Sequence, residues 1–180
     1  GGLPAKGLGA HRGDQLRARE NTPKAIREAV RHGAKMVEFD IQRCKTGEMV
    51  VCHDLRIWAG RDEKDWVATL PLARMKELGY ATPEEMLAEI PKEGVWINLH
   101  CHYADNRCIA EELARIIQAQ GRLHQAIFAD VPARLDEARA VVPGIHCCDM
   151  ECGVDWGKEW PQADIDSYID HAISNRCDFI

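Results

Sequence analysis

The chain has 180 residues, 46% of them hydrophobic and 29% charged, which is enough for one globular domain with a sizeable core and too apolar for a disordered chain. Its 23 basic and 29 acidic residues leave a net charge of −6 without a basic stripe, so nucleic acid is not an expected partner and any anion must be held locally. No apolar run reaches the roughly 18 residues of a transmembrane span. The N-terminus GGLPAKGLGA carries no signal-peptide pattern. A cytoplasmic location is therefore expected, or a periplasmic or secreted one if a signal peptide has been removed. The cysteines at 44, 52, 101, 108, 147, 148, 152 and 177 form no CxxC pair, which disfavours a structural zinc site and reads as free thiols in a reducing compartment.

In chain order, residues 7–13 read as a short strand ending in a turn. Thr22-Pro23 supplies an N-cap and a proline at the first helical position, Ile26, Ala29 and Val30 form an apolar stripe, and Gly33 stops the helix. Residues 36–42 then read as a buried strand, a Gly47 turn follows, and a short apolar run ends in His53-Asp54. The polar stretch 55–68 reads as a loop. Thr69 is expected to cap a short helix stopping at Gly79, and Thr82-Pro83-Glu84-Glu85 is a capping box that opens another. A strand over 95–103, a helix at about 107–120, a strand over 125–130 and a helix from near Pro132 follow. Next come a strand over 146–152 and a helix with Ile165, Tyr168, Ile169 and Ile173. Residues 177–180 read as the start or middle of one more strand. That is about six strands in βα alternation within one α/β domain, residues 1–180.

The strand at 36–42 carries the strongest chemical signal. Val37, Phe39 and Ile41 alternate with Glu38, Asp40 and Gln42, so the two acids share one face of the strand. Adjacent buried carboxylates repel and lose solvation unless a positive charge joins them, and a divalent cation does so economically. His11 and Arg12, Glu38 and Asp40, and His100 and His102 all fall at the C-terminal ends of strands, the end at which a parallel α/β barrel builds its active site.

In these residues the chain resembles the glycerophosphodiester phosphodiesterases, a (β/α)8-barrel (TIM-barrel) family of metal-dependent phosphodiester hydrolases. The resemblance rests on His11-Arg12-Gly13, Glu20-Asn21-Thr22, Gly33-Ala34, Glu38-Phe39-Asp40, the Gly47 turn and His53-Asp54, and thins beyond about residue 55. It implies that His11 and His53 are the acid and base, that Arg12 contacts the phosphate, and that Glu38 and Asp40 bind one divalent metal ion. It also implies a small-molecule phosphodiester as substrate. Glu20 is expected to brace its loop or pair with Arg12, and Glu151 to form a salt bridge or reach the site.

Two features depart from the family pattern. His100 stands where the family has a glutamate ligand, and His102 where it has a lysine. Magnesium or calcium would follow from the family, whereas the imidazole of His100 would tilt preference towards manganese or zinc. His102 would serve as a phosphate contact when protonated. A full barrel takes about 250 residues, so this chain implies an incomplete barrel, a homo-oligomer that completes one, or an open variant. Two other readings compete with hydrolysis: a phospholipase D-type lyase releasing a cyclic phosphate, and a non-catalytic phosphoester- or partner-binding module.

Overall fold

The computed structural model describes residues 7–58, 65–101, 109–149 and 161–178. Strand and helix alternate along it: β1 (Gly9–Ala10), α1 (Pro23–Arg31), β2 (Met36–Arg43), β3 (Met49–Val51), α2 (Leu72–Glu77), α3 (Pro83–Leu87), β4 (Trp96–Cys101), α4 (Ile109–Ala119), β5 (Ala126–Asp130), α5 (Pro132–Val141), β6 (His146–Asp149) and α6 (Gln162–Ser174). Strands β1, β2, β4, β5 and β6 lie side by side in that order, all parallel. β3 folds back antiparallel on β2, with Ile41 opposite Val51. The described sheet thus has six strands, as expected, five of them parallel and β3 antiparallel. Residues 179 and 180 of the last expected strand lie outside the described residues; before them, the Asp178 N–H donates to the Cys147 carbonyl at 2.9 Å.

The helices cover one face of this sheet. Val37, Phe39 and Ile41 of β2, Ile97 and Leu99 of β4 and Phe128 of β5 are fully buried against Ile26 and Ala29 of α1, Leu113 and Ile117 of α4, and Leu135 of α5. Because side chains alternate across a strand, the even-numbered residues of β2 and β4 must point to the opposite face. A smaller cluster of Cys44, Val50, Cys52, Val67, Met75 and Tyr80 packs beneath the hairpin.

Local signals behave as their chemistry requires. Thr22 accepts from the Ala25 N–H at 3.2 Å to start α1, and the Thr82–Glu85 capping box is formed at α3. Thr69 does not cap α2. It sits in a short 3-10 turn, Val67–Thr69, and α2 begins at Leu72 after Pro71. Leu70 precedes that proline and is extended (φ −105°, ψ 133°), the conformation a following proline enforces, so a helix could not start before it. In α6, Ala172 is buried, whereas Ile169 and Ile173 are exposed, since among the described residues no strand lies beyond β6 to receive them. No helix of the described residues is long and apolar enough to cross a membrane.

Candidate active site

Glu38, Asp40 and Gln42 all project from the face of β2 opposite Val37, Phe39 and Ile41, yet they are 5%, 0% and 2% exposed. The parallel register with β4 sets Asn98 beside Glu38 and His100 beside Asp40. The Nδ1 of His100 lies 3.3 Å from Glu38 Oε1 and 3.7 Å from Asp40 Oδ1. One donor atom from each of Glu38, Asp40 and His100 falls within 4.8 Å of the others.

The loop after β1 closes over these acids. Its entry is a turn rather than strand, and Gly13 (φ +83°) presses so tightly on α1 that a Cβ there would meet the Ala25 backbone carbon and Cβ at 2.7 Å. Arg12 itself adopts a left-handed backbone (φ +57°), which costs a non-glycine residue about 1–2 kcal/mol. That conformation aims the Arg12 N–H at Glu38 Oε2, 2.7 Å away. The guanidinium then spans two acids, with NH1 3.3 Å from both Glu20 oxygens and Nε 3.3 Å from Asp40 Oδ2.

Asn21, buried and also left-handed (φ +55°), completes the bracket. Its Nδ2 donates to Asp40 Oδ2 at 2.8 Å, its Oδ1 accepts the Asp40 N–H at 3.1 Å, and its own N–H donates to the Arg12 carbonyl. Sequence reasoning assigned Asn21 no role of its own. The available signal was its place in Glu20-Asn21-Thr22, where an asparagine tolerates φ > 0 just before a helix cap.

Burial, and then the neighbouring Asp40 carboxylate, push the Glu38 carboxyl well above the usual carboxylate range, while the Arg12 N–H and charge pull it down. Glu38 Oε1 is buried and has no hydrogen-bond partner among the described residues. An orphaned carboxylate oxygen facing a second carboxylate and an imidazole nitrogen fits a divalent cation. The cluster can hold a metal ion, and its mixed oxygen and nitrogen donors suit manganese, zinc or iron better than an all-oxygen site would.

The two candidate acid–base groups come from different loops, and His11 borders the cluster. His11 is exposed, with Nε2 3.9 Å from Glu38 Oε2. His53 follows β3, and the hairpin returns its loop to β2, where the Cys52 N–H donates to the Asp40 carbonyl at 2.9 Å. Its Nδ1 bonds Asp54 Oδ1 at 2.8 Å. Gln42, which sequence reasoning left without a function, holds this loop. Its buried Nε2 lies 2.8, 2.9 and 2.9 Å from the carbonyl oxygens of Cys52, His53 and Asp54. His102 and Glu151 lie outside the described residues.

Comparison with known proteins places this geometry in a family. Residues 11–134 match the model of the glycerophosphoryl diester phosphodiesterase family. Glycerophosphodiester phosphodiesterase 1 of Rattus norvegicus is 29% identical over 137 residues, 76% of this chain and 37% of that protein. The Homo sapiens protein of the same name is 29% identical over 120 residues, 67% of this chain and 35% of that protein. The chain therefore spans little more than a third of the length of these relatives. Among solved structures, a glycerophosphodiester phosphodiesterase from Thermotoga maritima superposes with a TM-score of 0.67 at 21% identity, over 97% of this chain and 72% of that one. An Oleispira antarctica phosphodiesterase solved with the product sn-glycerol-3-phosphate gives 0.68 at 21% identity, over 97% and 73%. These likenesses identify the described sheet as part of a TIM-type (β/α)8 barrel. With the family pattern matched from His11 to Arg134, the chain belongs to the glycerophosphoryl diester phosphodiesterase family.

Proposed function

We propose that this chain carries the catalytic site for metal-dependent hydrolysis of glycerophosphodiesters to an alcohol and glycerol phosphate. The observation that carries the reading is the convergence of Glu38, Asp40 and His100 within 4.8 Å, with His11 at its border. The relatives' names, and the glycerol phosphate bound by the Oleispira protein, point to the same substrate class.

Glu38, Asp40 and His100 would hold one divalent cation, which when bound supplies Lewis-acid polarisation of the phosphoryl oxygens. Arg12 adds fixed positive charge at the same place. Its Nε and NH1 are committed to Asp40 and Glu20, and NH2 has no partner among the described residues, so NH2 is the donor for a phosphate oxygen. His102 would be a second phosphate contact when protonated. His11 and His53 divide the proton transfers: one imidazole accepts the proton of the attacking hydroxyl or water, and the other protonates the departing alkoxide. The Asp54 carboxylate, 2.8 Å from Nδ1 of His53, holds that ring in place.

The test is turnover of glycerophosphocholine and glycerophosphoethanolamine with magnesium, calcium, manganese or zinc, products being followed by phosphorus NMR. Metal-dependent release of glycerol phosphate, reduced by at least about 100-fold in His11→Ala, is expected. A stable cyclic phosphate as the end product would replace hydrolase with lyase. Absence of turnover with every metal would overturn the catalytic reading in favour of a phosphoester-binding module. Greater activity with manganese or zinc than with magnesium is the expected consequence of His100, and equal activity with magnesium and manganese would remove that assignment.

A further inference from the structure

The histidine that stands among the candidate metal ligands raises a problem that a carboxylate does not: its tautomer must be right. An imidazole binds a metal through a nitrogen lone pair, so if Nδ1 faces the cation the remaining proton must sit on Nε2, where an acceptor fixes it. In His100 it is Nδ1 that faces Glu38 and Asp40. Nε2 points back along the same strand to Asn98, whose Nδ2 is 3.4 Å away. The Oδ1 of Asn98 is buried and has no hydrogen-bond partner among the described residues. A half-turn of the Asn98 amide exchanges its oxygen and nitrogen and breaks no other hydrogen bond of that side chain among the described residues.

We propose that Asn98 is the positioning residue of His100, its amide reading either tautomer of the ring. With a proton on Nδ1 directed at Glu38, Nε2 accepts from Asn98 Nδ2. With a cation held at Nδ1, the ring's one proton would sit on Nε2 instead, and the Asn98 amide, turned by a half-turn, would offer Oδ1 to accept the Nε2–H. No proton is gained or lost overall by the ring. The two residues are two apart on β4, so the pleat carries both side chains to the site face and the pairing needs no loop to form it. The inference rests on the metal-site reading of Glu38, Asp40 and His100.

The experiment titrates zinc calorimetrically into the metal-free chain and into Asn98→Leu, Asn98→Asp and His100→Ala, and records the ring-nitrogen NMR spectrum of His100 with zinc bound. Expected are an Nε2–H tautomer in the zinc-loaded wild type, zinc affinity lowered about 10–100-fold in Asn98→Leu, and affinity restored in Asn98→Asp, which keeps the acceptor. Asn98→Leu binding zinc as tightly as the wild type with the same tautomer would overturn the role of Asn98. So would loss of affinity in both Asn98 variants, because that pattern belongs to damaged packing. Unchanged zinc affinity in His100→Ala would instead overturn the metal-site reading itself.

Discussion

Glu38 sits in a setting far from water: buried, beside a second carboxylate, with one oxygen bonded to the Arg12 N–H and the other orphaned. Its folded-state pKa is raised above the ordinary value of 4.5. The folded chain therefore holds this proton more tightly than the unfolded chain does. The resulting stability is fully present below about pH 4.5 and is lost as pH rises through the folded value of about 8. The metal-free protein is thus expected to melt at progressively lower temperature across that interval. Zinc or manganese should reverse the loss, by about 2.7 kcal/mol at a hundredfold excess over the dissociation constant, and most strongly at the upper end, where both carboxylates are ionised. Melting curves with and without metal check this, and a metal-free melting temperature that rises with pH would refute it. At this scale the ligands were legible because they sit on one strand. The brackets were not, since Asn21 reaches Asp40 across 19 positions and Gln42 reaches carbonyls 10–12 positions away.

The β1–α1 loop shows how an element can be tuned to hold a side chain. Arg12 and Asn21, both left-handed, form its two ends and are tied by the Asn21 N–H to Arg12 carbonyl bond of 3.0 Å. Gly13 lets the loop lie against Ala25, whose carbonyl accepts the Asp14 N–H at 2.9 Å. Gly13→Ala is expected to destabilise the fold by at least about 1 kcal/mol, because it combines a left-handed backbone with a collision against helix backbone. It should also lower activity by shifting Arg12, as urea unfolding and turnover of the same preparation would show. A neutral result in both would mean that the loop relaxes without cost. The motif His11-Arg12-Gly13 was legible as a turn, but its reason, the contact with α1, belongs to packing and has no local signal.

Across the whole molecule the described thiols form a gradient from core to surface. All six described cysteines are free: Cys44, Cys52, Cys101 and Cys147 are buried, Cys148 and Cys177 half-buried. Burial pushes the Cys52 and Cys147 thiols up to about 12, which leaves almost no thiolate near neutral pH. Alkylation with iodoacetamide followed by peptide mass spectrometry is expected to modify Cys148 and Cys177 in the native chain, and the four buried thiols only on unfolding. Rapid native labelling of Cys52 and Cys147 would contradict the packing described. Other whole-molecule features had no sequence signal. Arg122 is buried with its guanidinium on the carbonyls of Leu87, Ile90 and Pro91, an arrangement that ties the end of α3 to the approach of β5.

By itself the sequence determined what depends on short range. The two-residue period of β2 set Glu38 and Asp40 on one face, Thr22-Pro23 and Thr82-Pro83 started their helices, and the βα alternation declared a parallel sheet. Only the tertiary structure decided which groups meet. The register of β4 against β2 brings His100 to Asp40, the hairpin returns the Cys52–His53 loop to β2 at Asp40, and the left-handed turn swings Arg12 onto Glu38. The physical reason is that each of these contacts is made by strand register and loop closure, which are settled by the burial of the whole helix-facing side of the sheet rather than by the residues that touch.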